Sequence, residues 1–131
     1  MPAMIVLRWV SFIREASQMT TLKVPRGIRA FPQASVWLIA FWDGSLTAHA
    51  ACVYARTKWD GMVKSHLVLA KSRVAPMDGS TVQRMELQGL LQCTRLLKRV
   101  INATKIAPER VTIAGDSMCA IMALRKSGVN F

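Results

Sequence analysis

A run of apolar and aromatic residues that ends in a single carboxylate places the strongest constraint on how this chain folds. Residues 36–43 read Val-Trp-Leu-Ile-Ala-Phe-Trp-Asp, and Gly44 and Ser45 follow directly. A continuous apolar run of this length, bounded by a glycine, is typical of a strand that is buried on both faces of a sheet. A buried strand with a carboxylate at its end presents that charge at a sheet edge, so Asp43 is a candidate functional residue.

The composition indicates one globular domain with a basic surface. The chain has 131 residues, of which 52% are hydrophobic and 19% charged, and these values argue against disorder. The net charge of +11 favours a polyanionic partner, with nucleic acid ahead of an anionic membrane surface. The alternatives are a charge that serves solubility alone and a fragment whose acidic complement lies elsewhere. No apolar run approaches the ~20 residues that a membrane span needs, so we expect no membrane partner.

Cysteine and histidine usage argues against a metal-thiolate or disulfide framework. The three cysteines, Cys52, Cys93 and Cys119, include no Cys-x-x-Cys pair and have no nearby pair of histidines. An odd number of dispersed cysteines fits a reducing compartment, the cytoplasm or the nucleus. His49 and His66 are isolated in the sequence, and we interpret both as ordinary strand residues.

The pattern of apolar residues predicts a mixed α/β domain that follows an N-terminal helical appendage. Leu87, Leu90, Leu91, Thr94 and Leu97 recur at helical spacing in the longest predicted helix. The predicted helices are residues 4–19, 82–103 and 118–126, and the predicted strands are residues 36–43, 47–57, 65–74 and 110–115. We interpret residues 1–30 as the appendage with its connection, and residues 31–131 as the domain.

The lengths of the connections predict the topology of the sheet. Short turns join the first three strands, so we expect an antiparallel meander. The helix at residues 82–103 then crosses to the strand at 110–115, which we expect to be buried and to run parallel to the strand at 36–43 through a right-handed connection. Asp43 and Asp116 then lie side by side at the carboxyl ends of two central strands, where open α/β sheets place their ligands.

Three carboxylates form a candidate metal site at that edge. Glu86 stands in the first turns of the long helix, whose apolar residues direct it at the sheet. Carboxylates that converge repel one another, and a hard divalent cation such as Mg²⁺ or Mn²⁺ relieves that repulsion. Each residue also has a simpler reading. In this simpler interpretation, Asp43 and Gly44 form a turn, Asp116 and Ser117 form a helix cap, and none of them binds a metal. Glu86 is then a favourable negative charge in the first turn of a helix.

Basic residues on the long helix and the strand before it are candidate contacts to a phosphate backbone. A solvated surface is the alternative. These residues are Lys71, Arg73, Arg95, Lys98 and Arg99.

Four segments carry a resemblance to a known family. Residues 41–45 (Phe-Trp-Asp-Gly-Ser), 69–76 (Leu-Ala-Lys-Ser-Arg-Val-Ala-Pro), 84–87 (Arg-Met-Glu-Leu) and 114–117 (Ala-Gly-Asp-Ser) resemble the ribonuclease-H-like region of BEL/Pao-type retrotransposon polyproteins. The specific part is the run from Lys71 to Pro76 together with Arg84-Met85-Glu86-Leu87, and the resemblance extends over most of residues 5–127.

The resemblance implies a fold, an activity and a set of ligands. The fold is the ribonuclease-H-like mixed sheet in the order 3-2-1-4-5, with helices packed on it. Asp43, Glu86 and Asp116 match the first three carboxylates that hold Mg²⁺ or Mn²⁺ in the family. The activity is hydrolysis of the RNA strand of an RNA–DNA hybrid, and the partner in a full-length polyprotein is an upstream reverse transcriptase.

The chain departs from the family pattern at its C-terminal end. It stops at Phe131, so we expect the sheet order 3-2-1-4, with the fifth strand and the fourth acidic ligand missing. Two hypotheses follow. The chain is either a metal-dependent hydrolase whose activity is lowered or lost through truncation, or a non-catalytic nucleic-acid-binding or interaction module derived from a retrotransposon polyprotein.

Overall fold

The elements predicted from the sequence are present in the computed structural model, which describes residues 3–23, 34–77, 79–105 and 107–126. The bounds are α1 (Ala3–Gln18), β1 (Ser35–Gly44), β2 (Ala48–Trp59), β3 (Met62–Val74), α2 (Val82–Thr104), β4 (Arg110–Ala114) and α3 (Met118–Lys126). A 3₁₀ turn, Met19–Thr21, follows α1. The start of β3 differs most from its predicted position. Most of the predicted connection, residues 24–30, lies outside the described residues.

The sheet has the predicted order, β3-β2-β1-β4. β1 pairs antiparallel with β2 and parallel with β4, and β2 pairs antiparallel with β3. The turn between β2 and β3 is formed by Asp60 and Gly61, with φ angles of 46° and 72°. Two consecutive positive φ angles are the signature of a two-residue hairpin turn, and Asp-Gly is a favoured pair for it. The antiparallel meander and the parallel crossover are both confirmed.

The core lies between α2 and one face of the sheet. Thr81 fixes the start of α2, because its side-chain oxygen accepts a hydrogen bond of 3.2 Å from the backbone N–H of Arg84. Burial of each large apolar side chain contributes about 1.5–3 kcal/mol. The core members are Leu38, Ala40, Trp42, Ala51, Val53, Ala55, Leu90, Cys93, Leu96, Leu97, Val100 and Ala120. Leu87 and Leu91 of the predicted stripe are 46% and 41% exposed, so they lie outside this core.

The other face of the sheet is open among the described residues, which corrects one prediction. Residues of β1 alternate between buried and accessible up to Trp42, and Phe41 is 45% exposed. The prediction of a strand buried on both faces is wrong, because the described helices that pack on the sheet contribute to a single core. The prediction that β4 is buried is also wrong. β4 is an edge strand, and Arg110, Val111 and Thr112 are exposed.

α1 is an amphipathic helix that buries none of its residues in the described structure. Leu7 and Trp9 are 70% and 62% exposed. The helix itself is confirmed, and its separation from the rest of the chain as an appendage stays a prediction. Among the described residues, no helix combines the length and the apolarity that a membrane crossing requires.

Candidate nucleic-acid and metal site

The parallel register of β1 and β4 brings Asp43 and Asp116 to the same end of the sheet. Phe41 is the partner of Ala114, so the two aspartates occupy equivalent positions, two residues further along each chain. Both side chains are exposed. Asp43 lies within β1 opposite Ala50, and its Oδ1 accepts a hydrogen bond of 2.7 Å from the N–H of Gly44. The reversal of the chain follows after Gly44, so Asp43 is a strand residue.

Two glycines allow α2 to pass over this end of β1 at backbone contact distance. A Cβ atom on Gly44 would lie 2.5 Å from the backbone nitrogen of Glu86. A Cβ atom on Gly89 would lie 2.7 Å from the carbonyl oxygen of Asp43. Real Cβ atoms do not approach backbone atoms so closely, so only glycine fits at either position. The contact places the backbone of Glu86 directly beside Gly44.

Ser117 joins Glu86 to the end of β4. Its hydroxyl donates a hydrogen bond of 2.6 Å to Oε2 of Glu86 and accepts one of 3.2 Å from the backbone N–H of Ala120. Ser117 is only 5% exposed. Ser117 therefore caps α3 and positions Glu86 at the same time, while the neighbouring Asp116 stays exposed. The only sequence signal for this role is a small hydroxyl residue directly after a strand-end carboxylate.

The backbone thus brings three carboxylate-bearing positions to one corner, which we call the carboxylate corner (Asp43, Glu86 and Asp116). The oxygen donors have the chemistry that Mg²⁺ and Mn²⁺ prefer. The side chains do not meet as they stand, since no three histidine, cysteine or acidic side chains in the described residues form a group that could hold a metal ion. Metal binding at the corner therefore stays a prediction.

Four of the five predicted phosphate contacts line one groove between β3 and α2. The groove has a volume of about 140 Å³, and we call it the basic groove. Lys98 is not among the residues that line it. The lining residues are His49, Lys71, Arg73, Gln88, Leu91, Gln92, Arg95, Leu96 and Arg99.

His49 lines this groove, although the sequence analysis assigned it no functional role. It lies in β2, directly opposite Arg73 of β3, and is 8% exposed. Its Nδ1 atom is buried and has no hydrogen-bond partner in the described structure. We predicted an ordinary strand residue, and the strand position is confirmed. Its neighbours depend on the register of β2 and β3, which the isolated residue could not reveal.

A second, wider groove lies on the open face of the sheet beside Asp43. Its volume is about 400 Å³, and Lys71 lines both this groove and the basic groove. Its other lining residues are Phe41, Trp42, Ala50, Ala51, Cys52, Ala70 and Ser72. The lining is therefore mostly apolar, and Asp43 is its one acidic member.

Comparison with known proteins identifies a family. The chain is similar to the PPX-GPPA enzyme of Aquifex aeolicus in two solved structures, at 17% and 16% identity with TM-scores of 0.36 and 0.37. The matches cover 72% of the chain but only about a third (34% and 33%) of those proteins. No curated protein matches the sequence. The family model of the Pao retrotransposon-like RNaseH-like domain matches residues 1–117, which include the carboxylate corner and the basic groove. The chain therefore belongs to the Pao retrotransposon-like RNaseH-like family.

Proposed function

We propose that the chain binds RNA–DNA hybrids and hydrolyses their RNA strand with the help of Mg²⁺ or Mn²⁺. The observation that carries this proposal is the carboxylate corner, where two parallel strands and one helix deliver three acidic residues to one end of the sheet. In a full-length polyprotein, the hybrid would be the product of an upstream reverse transcriptase.

Each residue of the corner has a distinct role in this proposal. Asp43, Glu86 and Asp116 would hold the cation, which when bound activates water and stabilises the leaving oxygen of the phosphodiester. Ser117 is a positioning residue, because its hydroxyl directs one oxygen of Glu86 and leaves the other available to a ligand. The exposure of both aspartates leaves their carboxylates accessible to a nucleic-acid strand.

Cleavage of a labelled hybrid tests the proposal. We expect the wild-type chain to cut the RNA strand in the presence of Mg²⁺ or Mn²⁺ and to be inactive in EDTA. Asp116→Asn should abolish cleavage, because it removes a charged ligand with almost no change in shape. Asp60→Asn is the matched control, since Asp60 is an exposed carboxylate in the turn between β2 and β3. Cleavage by Asp116→Asn at the wild-type rate would exclude the mechanism.

A second candidate function is a non-catalytic nucleic-acid-binding module. It is favoured by one specific contrast, namely that the basic groove is assembled while the described acidic side chains form no three-ligand group. This module would bind hybrid in a salt-dependent manner and would show no turnover with either metal. The same cleavage assay, run at a protein concentration that saturates the hybrid, separates the two functions.

A further inference from the structure

Regular secondary structure builds both walls of the basic groove. Gln88, Gln92, Arg95 and Arg99 follow one another in α2 at intervals of four, three and four residues, so they form a single stripe along the helix. Lys71 and Arg73 alternate along β3 and therefore point to the same face of the sheet. A hydrogen bond of 2.6 Å, donated by Nε2 of Gln92 to the carbonyl oxygen of Lys71, joins the two walls.

The groove concentrates positive charge that the described residues do not neutralise. No acidic residue lines it, and none of its four cations forms an ion pair within the described part of the chain. Cations held together in one concave site repel one another, and their field attracts an anion. Arginine in particular presents paired N–H donors whose geometry matches that of phosphate oxygens.

A buried polar residue adds a hydrogen-bonding group to this cluster. The side chain of His49 forms no hydrogen bond in the described residues, although His49 is more than nine-tenths buried and lines the groove. Both ring nitrogens of an imidazole can take part in hydrogen bonds, and buried polar groups normally use this capacity. The unused capacity of His49 indicates that the groove is built for a polar ligand.

We propose that the basic groove is a binding site for one backbone phosphate of a nucleic acid. This inference rests on the proposed binding of nucleic acid and is independent of hydrolysis. The volume of about 140 Å³ leaves room for a phosphate group with its oxygens. Arg95 lies nine residues after Glu86 on α2, or ~13 Å along the helix at 1.5 Å per residue, so the site is separate from the carboxylate corner.

Salt-dependent binding of a fluorescein-labelled 16-base-pair RNA–DNA hybrid tests the site. Affinity is measured by anisotropy in EDTA between 50 and 200 mM KCl, so that hydrolysis does not contribute. The double variant Arg95→Gln/Arg99→Gln should lower the slope of log K against log salt by ~0.7–0.9, the value for one phosphate. The double variant Lys58→Gln/Lys64→Gln makes the same charge change at two exposed positions of β2 and β3 outside the groove, and its slope should stay nearer the wild-type value.

His49→Phe tests the role of the imidazole. We expect affinity to fall about fivefold, the equivalent of one hydrogen bond. Circular dichroism of each variant verifies the fold. Equal affinities and slopes for the arginine and lysine double variants would overturn the proposal, because net charge alone would then explain binding.

An inorganic phosphate titration distinguishes a backbone phosphate from a free ion. We expect phosphate to shift the side-chain amide resonances of Gln92 in the wild type but not in Arg95→Gln/Arg99→Gln, and we expect the labelled hybrid to produce the same shifts at far lower concentration. A site that responds to inorganic phosphate and not to the hybrid would overturn the assignment to nucleic acid. If the hybrid binds at the groove but is not cleaved, only the proposal of hydrolysis is contradicted.

Discussion

The contact between Gly44 and α2 leads to a prediction whose size follows from the geometry. In Gly44→Ala, the new methyl group would lie 2.5 Å from both the nitrogen of Glu86 and the carbonyl carbon of Met85, and 2.6 Å from the oxygen of Met85. All three are backbone atoms, so no side-chain rotation relieves the clash and α2 must move away from β1. Overpacking of this kind destabilises proteins by about 1–3 kcal/mol. We expect a value near ~3 kcal/mol, because the obstacle is a helix backbone.

Urea unfolding followed by circular dichroism measures this change in the free energy of unfolding. Gly79→Ala is the matched control, because Gly79 has a positive φ of 70° but no atom within 4 Å of a new Cβ. In the control, the free energy of unfolding should therefore fall by only ~1–2 kcal/mol, the cost of a left-handed conformation for an alanine. If Gly44→Ala lowered the free energy of unfolding by less than 1 kcal/mol, the close approach of α2 to β1 that brings Glu86 to the corner would be refuted.

Substitutions at three further residues test the hydrogen bonds and the burial that hold the fold. Ser117→Ala should lower the free energy of unfolding by about 2 kcal/mol, since it removes a hydrogen bond to the Glu86 carboxylate and a helix cap, whereas Ser117→Thr keeps the hydroxyl and should lose far less. Thr81→Ala should cost about 1 kcal/mol through the lost cap of α2. Burial, with a smaller effect of Cys52, raises the pKa of the Cys93 thiol from 9.0 to about 11. The unfolded thiol ionises first, so the contribution of Cys93 to the free energy of unfolding should be constant well below pH 9 and fall by ~2–3 kcal/mol by pH 11. In Cys93→Ala, the decrease in the free energy of unfolding that comes from ionisation of this thiol should be absent.

The connectivity of the sheet could be predicted from the sequence because local signals determine it. Asp60-Gly61 specifies a two-residue hairpin between antiparallel strands. The long helix at 82–104 is the kind of connection that joins two parallel strands, so the strand that follows it is expected to be parallel. Once β1 and β4 are parallel neighbours, Asp43 and Asp116 must end at the same edge. The convergence of these two aspartates is thus a consequence of topology.

The burial of each strand could not be predicted in the same way. The sequence of an apolar strand such as β1 does not reveal whether one or both of its faces are covered, because the elements that cover it lie far away in the chain. The role of Ser117 is also non-local, since its partner Glu86 is 31 residues distant. His49 lies near the arginines of the basic groove only because the register of β2 and β3 places it there.

Paramagnetic broadening by Mn²⁺ tests most directly whether the carboxylate corner holds a cation. In a ¹H–¹⁵N spectrum of the full chain, substoichiometric Mn²⁺ should broaden the amide signals of Gly44, Glu86 and Ser117 together, because all three lie at the corner. Asp116→Asn should raise the Mn²⁺ concentration needed, and Asp60→Asn should leave it unchanged. Broadening that spares these three signals, or that reaches only one of them, would contradict a shared metal site.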